Sequence, residues 1–265
     1  MRTFEFHPRR AWRALWSPLS RPPTDPPPAD PPPADPPASD LKAAYVAFVD
    51  QIKAELPHEA AMERAIGAGF DEFGLIQVAL LRRFGLRPQD YLIDVGCGSG
   101  RLAKPLARYL TGSYLGFDLV PDLVDHARKV AARPDWRFEV IDHIAIPEAD
   151  GRADMVCFFS VLTHLLHEQA FWYLEEAKRV LKPGGKIVFS FLEFLEPGHM
   201  PIFWATVRTA KARTPAPLNV FIDRDGIRRW ADALGLEVRE VWIGGEQLVP
   251  EGVLGQSLCV LEKPA

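Results

Sequence analysis

Cysteine is scarce: the chain of 265 residues has three, at positions 97, 157 and 259, and no CxxC pair. So sparse and odd a set excludes a disulfide framework or a cysteine zinc site. It fits reduced thiols, and the expected location is the cytoplasm. Long apolar runs are missing too; none reaches the ~18 residues that cross a bilayer, so no membrane span is expected. The opening stretch, MRTFEFHPRRAWRALWSPLSRPP, lacks a continuous apolar segment and a small-residue cleavage site, which argues against a secretory signal. Net charge is low as well, at −4, and the absence of a broad basic surface argues against nucleic acid as a partner.

What the chain does have is proline, concentrated in one place. Ten of its 25 prolines lie in PPTDPPPADPPPADPPASD, from Pro22 onward. Such a segment builds no packed core and is expected to be a semi-rigid polyproline II spacer of roughly 3 Å per residue. Ahead of it, Trp12, Leu15 and Trp16 stand among Arg9, Arg10 and Arg13, either as a docking peptide that tethers the chain or as a tail without a partner.

From Asp40 the pattern becomes that of a folded body. Ala44, Phe48, Ile52 and Leu56 recur at helical spacing up to Pro57, and a second helix is expected over about 73–84. Strands are then expected at 91–95, 113–117, 137–141, 155–159, 186–192, 238–243 and 257–261. Helices are expected between them at 101–109, 121–132, 168–180 and 225–234. This alternation predicts an α/β fold: a mostly parallel seven-stranded sheet with helices on both faces and an antiparallel last strand. The expected division is a tail and spacer over 1–39, a helical cap over 40–90 and the α/β domain over 91–265, with an insertion at about 193–223.

At the end of the first strand stands YLIDVGCGSGRL, residues 91–102. Glycines there permit positive φ and close ligand approach, and ligands of open sheets bind at this edge. A phosphate loop of the form GxxxxGK[ST] is excluded by spacing and by Arg101. A dinucleotide fingerprint would need glycine, not arginine, at 101. The run Asp94, Gly96, Gly98, Gly100 instead resembles the first motif of class I S-adenosylmethionine-dependent methyltransferases, a Rossmann-like family. Similarity to the family's later motifs follows in order: Asp118 ending YLGFDL, Asp142 in VIDHIAIP, and the turn in RVLKPGGKIVFS. The resemblance spans about residues 68–262.

The resemblance implies S-adenosylmethionine as cofactor, S-adenosylhomocysteine as product and no metal. Asp94, Gly96, Cys97, Gly98 and Gly100 would hold its methionine part, and Asp118 with Leu119 its ribose. Asp142, His143 and Ile144 would meet the adenine, with Phe159 and Ser160 beside them. Asp118 is alternatively a helix cap. Base-amine enzymes of the family carry [DN]PP[YF] where this chain has FFSV, and the glutamates of the ubiquinone-type EVxEH motif are Ser160 and Thr163 here. His164 remains, as a general base or as a group that orders the loop. Acceptor contacts are expected from Phe70 and Phe73 in the cap and from His199, Phe203, Trp204, Asn219 and Phe221 in the insertion; core packing is the other reading of these aromatics. The function implied is methyl transfer to an oxygen, expected to be a hydroxyl, of a small-molecule or glycan acceptor. N- or C-methylation of a secondary metabolite and a non-catalytic binding subunit are the alternatives, and the insertion could also pair two subunits.

Overall fold

The computed structural model describes residues 38–67, 69–213 and 217–265. The expected tail and nearly all of the spacer therefore lie outside the described residues. Seven strands form one sheet: β1 (Leu92–Val95), β2 (Tyr114–Asp118), β3 (Arg137–Val140), β4 (Ala153–Phe158), β5 (Leu181–Phe191), β6 (Glu237–Trp242) and β7 (Ser257–Glu262). Their order is β3-β2-β1-β4-β5-β7-β6. Neighbours from β3 to β5 run parallel, and β7 is antiparallel to both β5 and β6. The expected sheet is the one observed.

Period-two alternation sorts the strand residues onto two faces. Ile93, Leu115, Val156 and Ile187 enter a core closed by α6 (His167–Val180) and α8 (Arg224–Leu234). Leu92, Tyr114, Met155 and Val188 face the other way, against α3 (Phe70–Arg83), α4 (Ala103–Leu106) and α5 (Pro121–Ala131). A smaller cluster around Val49, Met62 and Leu123 fixes the cap helices α1 (Ala38–Glu55) and α2 (His58–Ala65) to the start of α5. Winding reverses between β1 and β4, which opens a crevice at the carboxyl edge of the sheet.

Three local expectations change. Helix α1 begins at Ala38, ahead of Asp40, and Pro57 separates it from α2, which the periodicity did not announce. The helix expected over 101–109 shrinks to Ala103–Leu106. Pro105 has no N–H for the Arg101 carbonyl, and Arg108 and Tyr109 fall back on i→i+3 bonds to Pro105 and Leu106. The carbonyl of Arg101 instead lies under Gly74 of α3, where a Cβ would sit 2.3 Å from its oxygen. The insertion folds around α7 (Met200–Ala212), a helix with no buried residue. Among the described residues no helix is long and apolar enough to cross a membrane.

Candidate functional site

The chain leaves β1 through a loop in which Gly96, Gly98 and Gly100 have φ of 68°, 53° and 92°. L side chains avoid this region, so the loop needs glycine for its shape. A Cβ on Gly96 would lie 2.5 Å from a Val161 methyl, and one on Gly98 would lie 2.8 Å from an Ile66 methyl. These two glycines give the crevice its floor. Gly100, expected beside the ligand, is not in the lining. It admits α5 instead: a Cβ there would lie 2.7 Å from the Ala127 Cα.

The loop and the end of β2 fasten each other. Cys97 N donates to Phe117 O at 3.0 Å, and Gly98 N donates to Asp118 Oδ2 at 3.0 Å. Val120 N donates to the other oxygen, Oδ1, at 3.2 Å. Position Val120 itself caps α5 without a side-chain bond, so Asp118 is not that helix's N-cap. Burial raises the Asp118 pKa against these amide donors.

Asp94 is 3% exposed, between the Tyr114 hydroxyl, which donates to Oδ2 at 2.7 Å, and the Cys157 thiol at 3.5 Å from Oδ1. No cation pairs with it among the described residues. Burial pushes its pKa up to about 7.

Above this floor lies a cavity of about 450 Å³. Its lining includes Asp94, Gly96, Cys97, Gly98, Asp118, Leu119, Asp142, His143, Ile144, Phe159, Ser160 and His164. Asp142 sits on the rim, where Lys42 of α1 donates to it at 3.1 Å and holds its carboxyl below the ordinary range. Ser160, at the end of β4, has φ +60°, unusual for a residue with a Cβ. Its N–H donates to Ser190 Oγ at 2.8 Å, and both hydroxyls donate to Gln256 Oε1, at 3.1 and 2.6 Å.

His164 closes a 3₁₀ turn, Leu162–His164, just beyond β4. Its Nδ1 lies 2.6 Å from Leu218 O, and a carbonyl can only accept, so this nitrogen carries the proton. The Nε2 lone pair is left available. Burial outweighs that bond and lowers the His164 pKa. The imidazole is therefore neutral near pH 7.

None of the side chains expected to meet an acceptor lines the cavity. Phe70 is 6% exposed and packs edge-on to His126, and Phe73 lies under the Arg101 guanidinium. His199 is fully buried, accepting from Glu193 N at 3.0 Å and donating to Gly255 O at 3.1 Å. Phe203 and Phe221 pack around Phe194, Asn219 donates to Thr206 Oγ1 at 3.1 Å, and Trp204 is half exposed to solvent. The insertion reaches the site by other means, through Pro217 in the lining and the Leu218 carbonyl on His164.

Sequence reasoning missed Tyr45 and Phe48 on α1, Ile66, Gln77, Arg101 and Gln256, all in the lining. For Gln77 a signal existed. It is a polar residue on the buried stripe Phe70, Gly74, Leu81 of α3. Among the described residues no cluster of three or more His, Cys, Asp or Glu groups could hold a metal.

Comparison with known proteins follows the same residues. A family model described as a methyltransferase domain matches residues 92–185. The ubiquinone biosynthesis O-methyltransferase of Methylobacterium nodulans is 31% identical over 151 residues, 48% of this chain and 59% of that protein. The malonyl-acyl-carrier-protein O-methyltransferase of Hahella chejuensis is 34% identical over 106 residues, 40% of this chain and 37% of that protein. The chain thus spans less than two thirds of the length of these curated relatives. Among solved structures, magnesium protoporphyrin IX methyltransferase of Synechocystis superposes with TM-score 0.61 at 15% identity, covering 85% of this chain and 99% of that one. The cyclase SpnF superposes with TM-score 0.55 at 17% identity, covering 72% and 81%. At such identities the likeness is one of fold, and a fold hosts more than one chemistry.

Proposed function

We propose that the chain, whose residues 92–185 match a model described as a methyltransferase domain and whose sheet has the Rossmann-like strand order, is an S-adenosylmethionine-dependent methyltransferase acting on an oxygen of a small acceptor. The observation that carries this reading is one cavity lined together by the glycine loop, Asp118, Asp142 and His164. When bound, S-adenosylmethionine supplies a methyl group already activated by its sulfonium. The chain has to grip the donor, align the acceptor and exclude water.

The residues suit that donor chemically. Asp94 is a buried carboxyl group with no cation paired to it among the described residues, a place for an ammonium. Each Asp118 oxygen already takes one amide donor and keeps a lone pair for a ribose hydroxyl. Ile144 and His143 offer a partly apolar edge beside the Asp142 carboxylate, suited to an adenine ring and its amino group. Tyr45 and Phe48 of the cap roof the same space, in line with a cap over 40–90 that shields the donor domain.

His164 supports oxygen as the acceptor atom. A neutral imidazole with Nε2 unprotonated can take the hydroxyl proton as the new O–methyl bond forms. Both curated relatives described above are named as O-methyltransferases, which points the same way. The test is transfer of labelled methyl from S-adenosylmethionine to a panel of sugar hydroxyls, phenols, carboxylates and amines. Label in an ether or ester is the expected outcome. Label confined to amines or carbon would refute the oxygen assignment, and donor binding without transfer to any acceptor would indicate a non-catalytic subunit.

A further inference from the structure

The cavity has two sides. Asp94, Asp118 and Asp142, which the reading above gives to the methyl donor, stand at or just past the ends of β1, β2 and β3, to one side of the winding reversal. Across the reversal, Ser160 and His164 follow β4, Ser190 lies one residue before the end of β5, and Gln256 leads into β7. Phe191 pairs with Ser257, so the end of β5 and the start of β7 meet at this edge. Gln256 lines the cavity there and has no role in the reading above.

The protein sets which way the Gln256 amide faces. Ser190 is fully buried, and its Oγ accepts from Ser160 N at 2.8 Å. Its own proton needs an acceptor, and Gln256 Oε1 at 2.6 Å is the one in reach. A reversed amide would leave that proton buried and unmet. Ser160 gives Oε1 a second proton at 3.1 Å, from a backbone held at φ +60°. A residue with a Cβ keeps that conformation only where its surroundings impose it. With Oε1 turned to both serines, Nε2 lies on the other side of the planar amide. It has no hydrogen-bond partner among the described residues and is not shut away from solvent, so its N–H groups are open to the cavity.

Resting on the methyl-transfer reading above, we infer that Gln256 selects the acceptor: its Nε2 donates to a carbonyl or carboxylate oxygen of a largely apolar hydroxy compound whose hydroxyl faces His164. An oxygen that brings no proton suits this wall best. A second hydroxyl would add a proton where Gln256 Oε1 already takes two and Ser190 Oγ one. Phe159, Val161, Leu165 and Pro217 add apolar surface to the lining, which a polyol would not use. Ser160 and Ser190 are positioning residues, and because they hold the amide in advance it need not be ordered on binding. A site built to hydrogen-bond one group discriminates against the analogue that lacks it.

The test follows labelled methyl from S-adenosylmethionine, with the full chain, to 3-hydroxyacetophenone, 3-hydroxybenzoate, 3-hydroxybenzyl alcohol and phenol. These probes share a ring hydroxyl and carry, at one position, a ketone, a carboxylate, a hydroxyl or nothing. The ketone or the carboxylate is expected to lead the other two about tenfold or more in kcat/KM, and the order of those two tells a neutral from a charged partner. Gln256→Leu should cost the leading probe about tenfold, mainly in KM, and change phenol and the affinity for S-adenosylhomocysteine by less than about twofold. Gln256→Glu keeps an acceptor for the serine protons and loses the N–H groups; it should show the same selective loss, and it decides alone if Gln256→Leu does not fold. Equal losses on the leading probe and phenol, no loss on either, or a lead for phenol or the benzyl alcohol overturn this inference and leave the oxygen reading standing. So does transfer to some other oxygen acceptor but to none of these probes. Transfer to no oxygen acceptor at all overturns both.

Discussion

The loop over 94–101 leaves Asp94, Arg101 and the Gly96–Gly98 backbone facing an open cavity, whereas the insertion over 193–223 turns its polar groups on one another. Glu193, 1% exposed, takes both bonds of the Arg224 guanidinium, at 2.7 and 2.8 Å, and a third from the Ser257 hydroxyl. His199 has a partner on each ring nitrogen, and Phe194 stacks on Phe221 at 4.6 Å. Both regions mix charged residues with glycine. Unmet hydrogen-bonding capacity separates them. The first region leaves bonding capacity facing a cavity, and the second spends its own on packing contacts.

The sharpest way to break this contrast is at its most buried ion pair. Glu193→Ala strands the Arg224 guanidinium and should cost about 3–5 kcal/mol of stability, measured by urea unfolding. Its affinity for S-adenosylhomocysteine should stay within about twofold. A loss of affinity without a loss of stability would make the insertion part of the donor site. Asp118→Ala should do the reverse, weakening S-adenosylhomocysteine about a hundredfold in calorimetry through two lost charge-assisted hydrogen bonds.

His164→Gln lies where the two regions touch. It should lower turnover about a hundredfold and leave product affinity unchanged. With His164 as general base the working form is deprotonated, and burial lowers its pKa, so the rising limb of the unaltered chain's pH profile should fall below the ordinary histidine midpoint of about 6.5. Loss of that limb in the variant is the check.

Asp94 gives a gentler effect. With its pKa pushed up to about 7 in the free protein, it must lose a proton to pair with an ammonium. Affinity should therefore fall as pH drops below about 7, approaching tenfold per unit, with proton release visible in buffers of different ionisation heat. Asp94→Asn should abolish the release. Trp204→Ala should do least, within about 0.5 kcal/mol in stability and without effect on turnover. A clear fall in turnover would return the insertion's aromatics to the acceptor site.

The sheet was legible in the sequence because its signals are local. Apolar runs, glycine turns and the spacing from Asp94 to Asp118 read the same way in one dimension as in three. The short helix after the loop was misjudged with its cause in plain view, since Pro105 withholds the N–H that Arg101 needs. The roof and side walls were beyond local patterns: Tyr45 and Gln256 come from opposite ends of the chain, and only packing brings them to one cavity. Leu218 was invisible for another reason. Its contribution to His164 is a backbone carbonyl, which any residue type would provide.

The placing of β7 between β5 and β6 also bears on how the molecule comes into being. A ribosome delivers β6 first, and β6 can join the sheet only through a strand synthesised after it. Until β7 slides in, β5 and β6 both present bare edges, the state in which chains pair wrongly. Gln256 immediately precedes β7 and joins Ser160 and Ser190 at the cavity wall. The glycine loop is thus made well before the wall that Gln256 completes. A nascent chain can begin to shape the pocket before β7 lets it close.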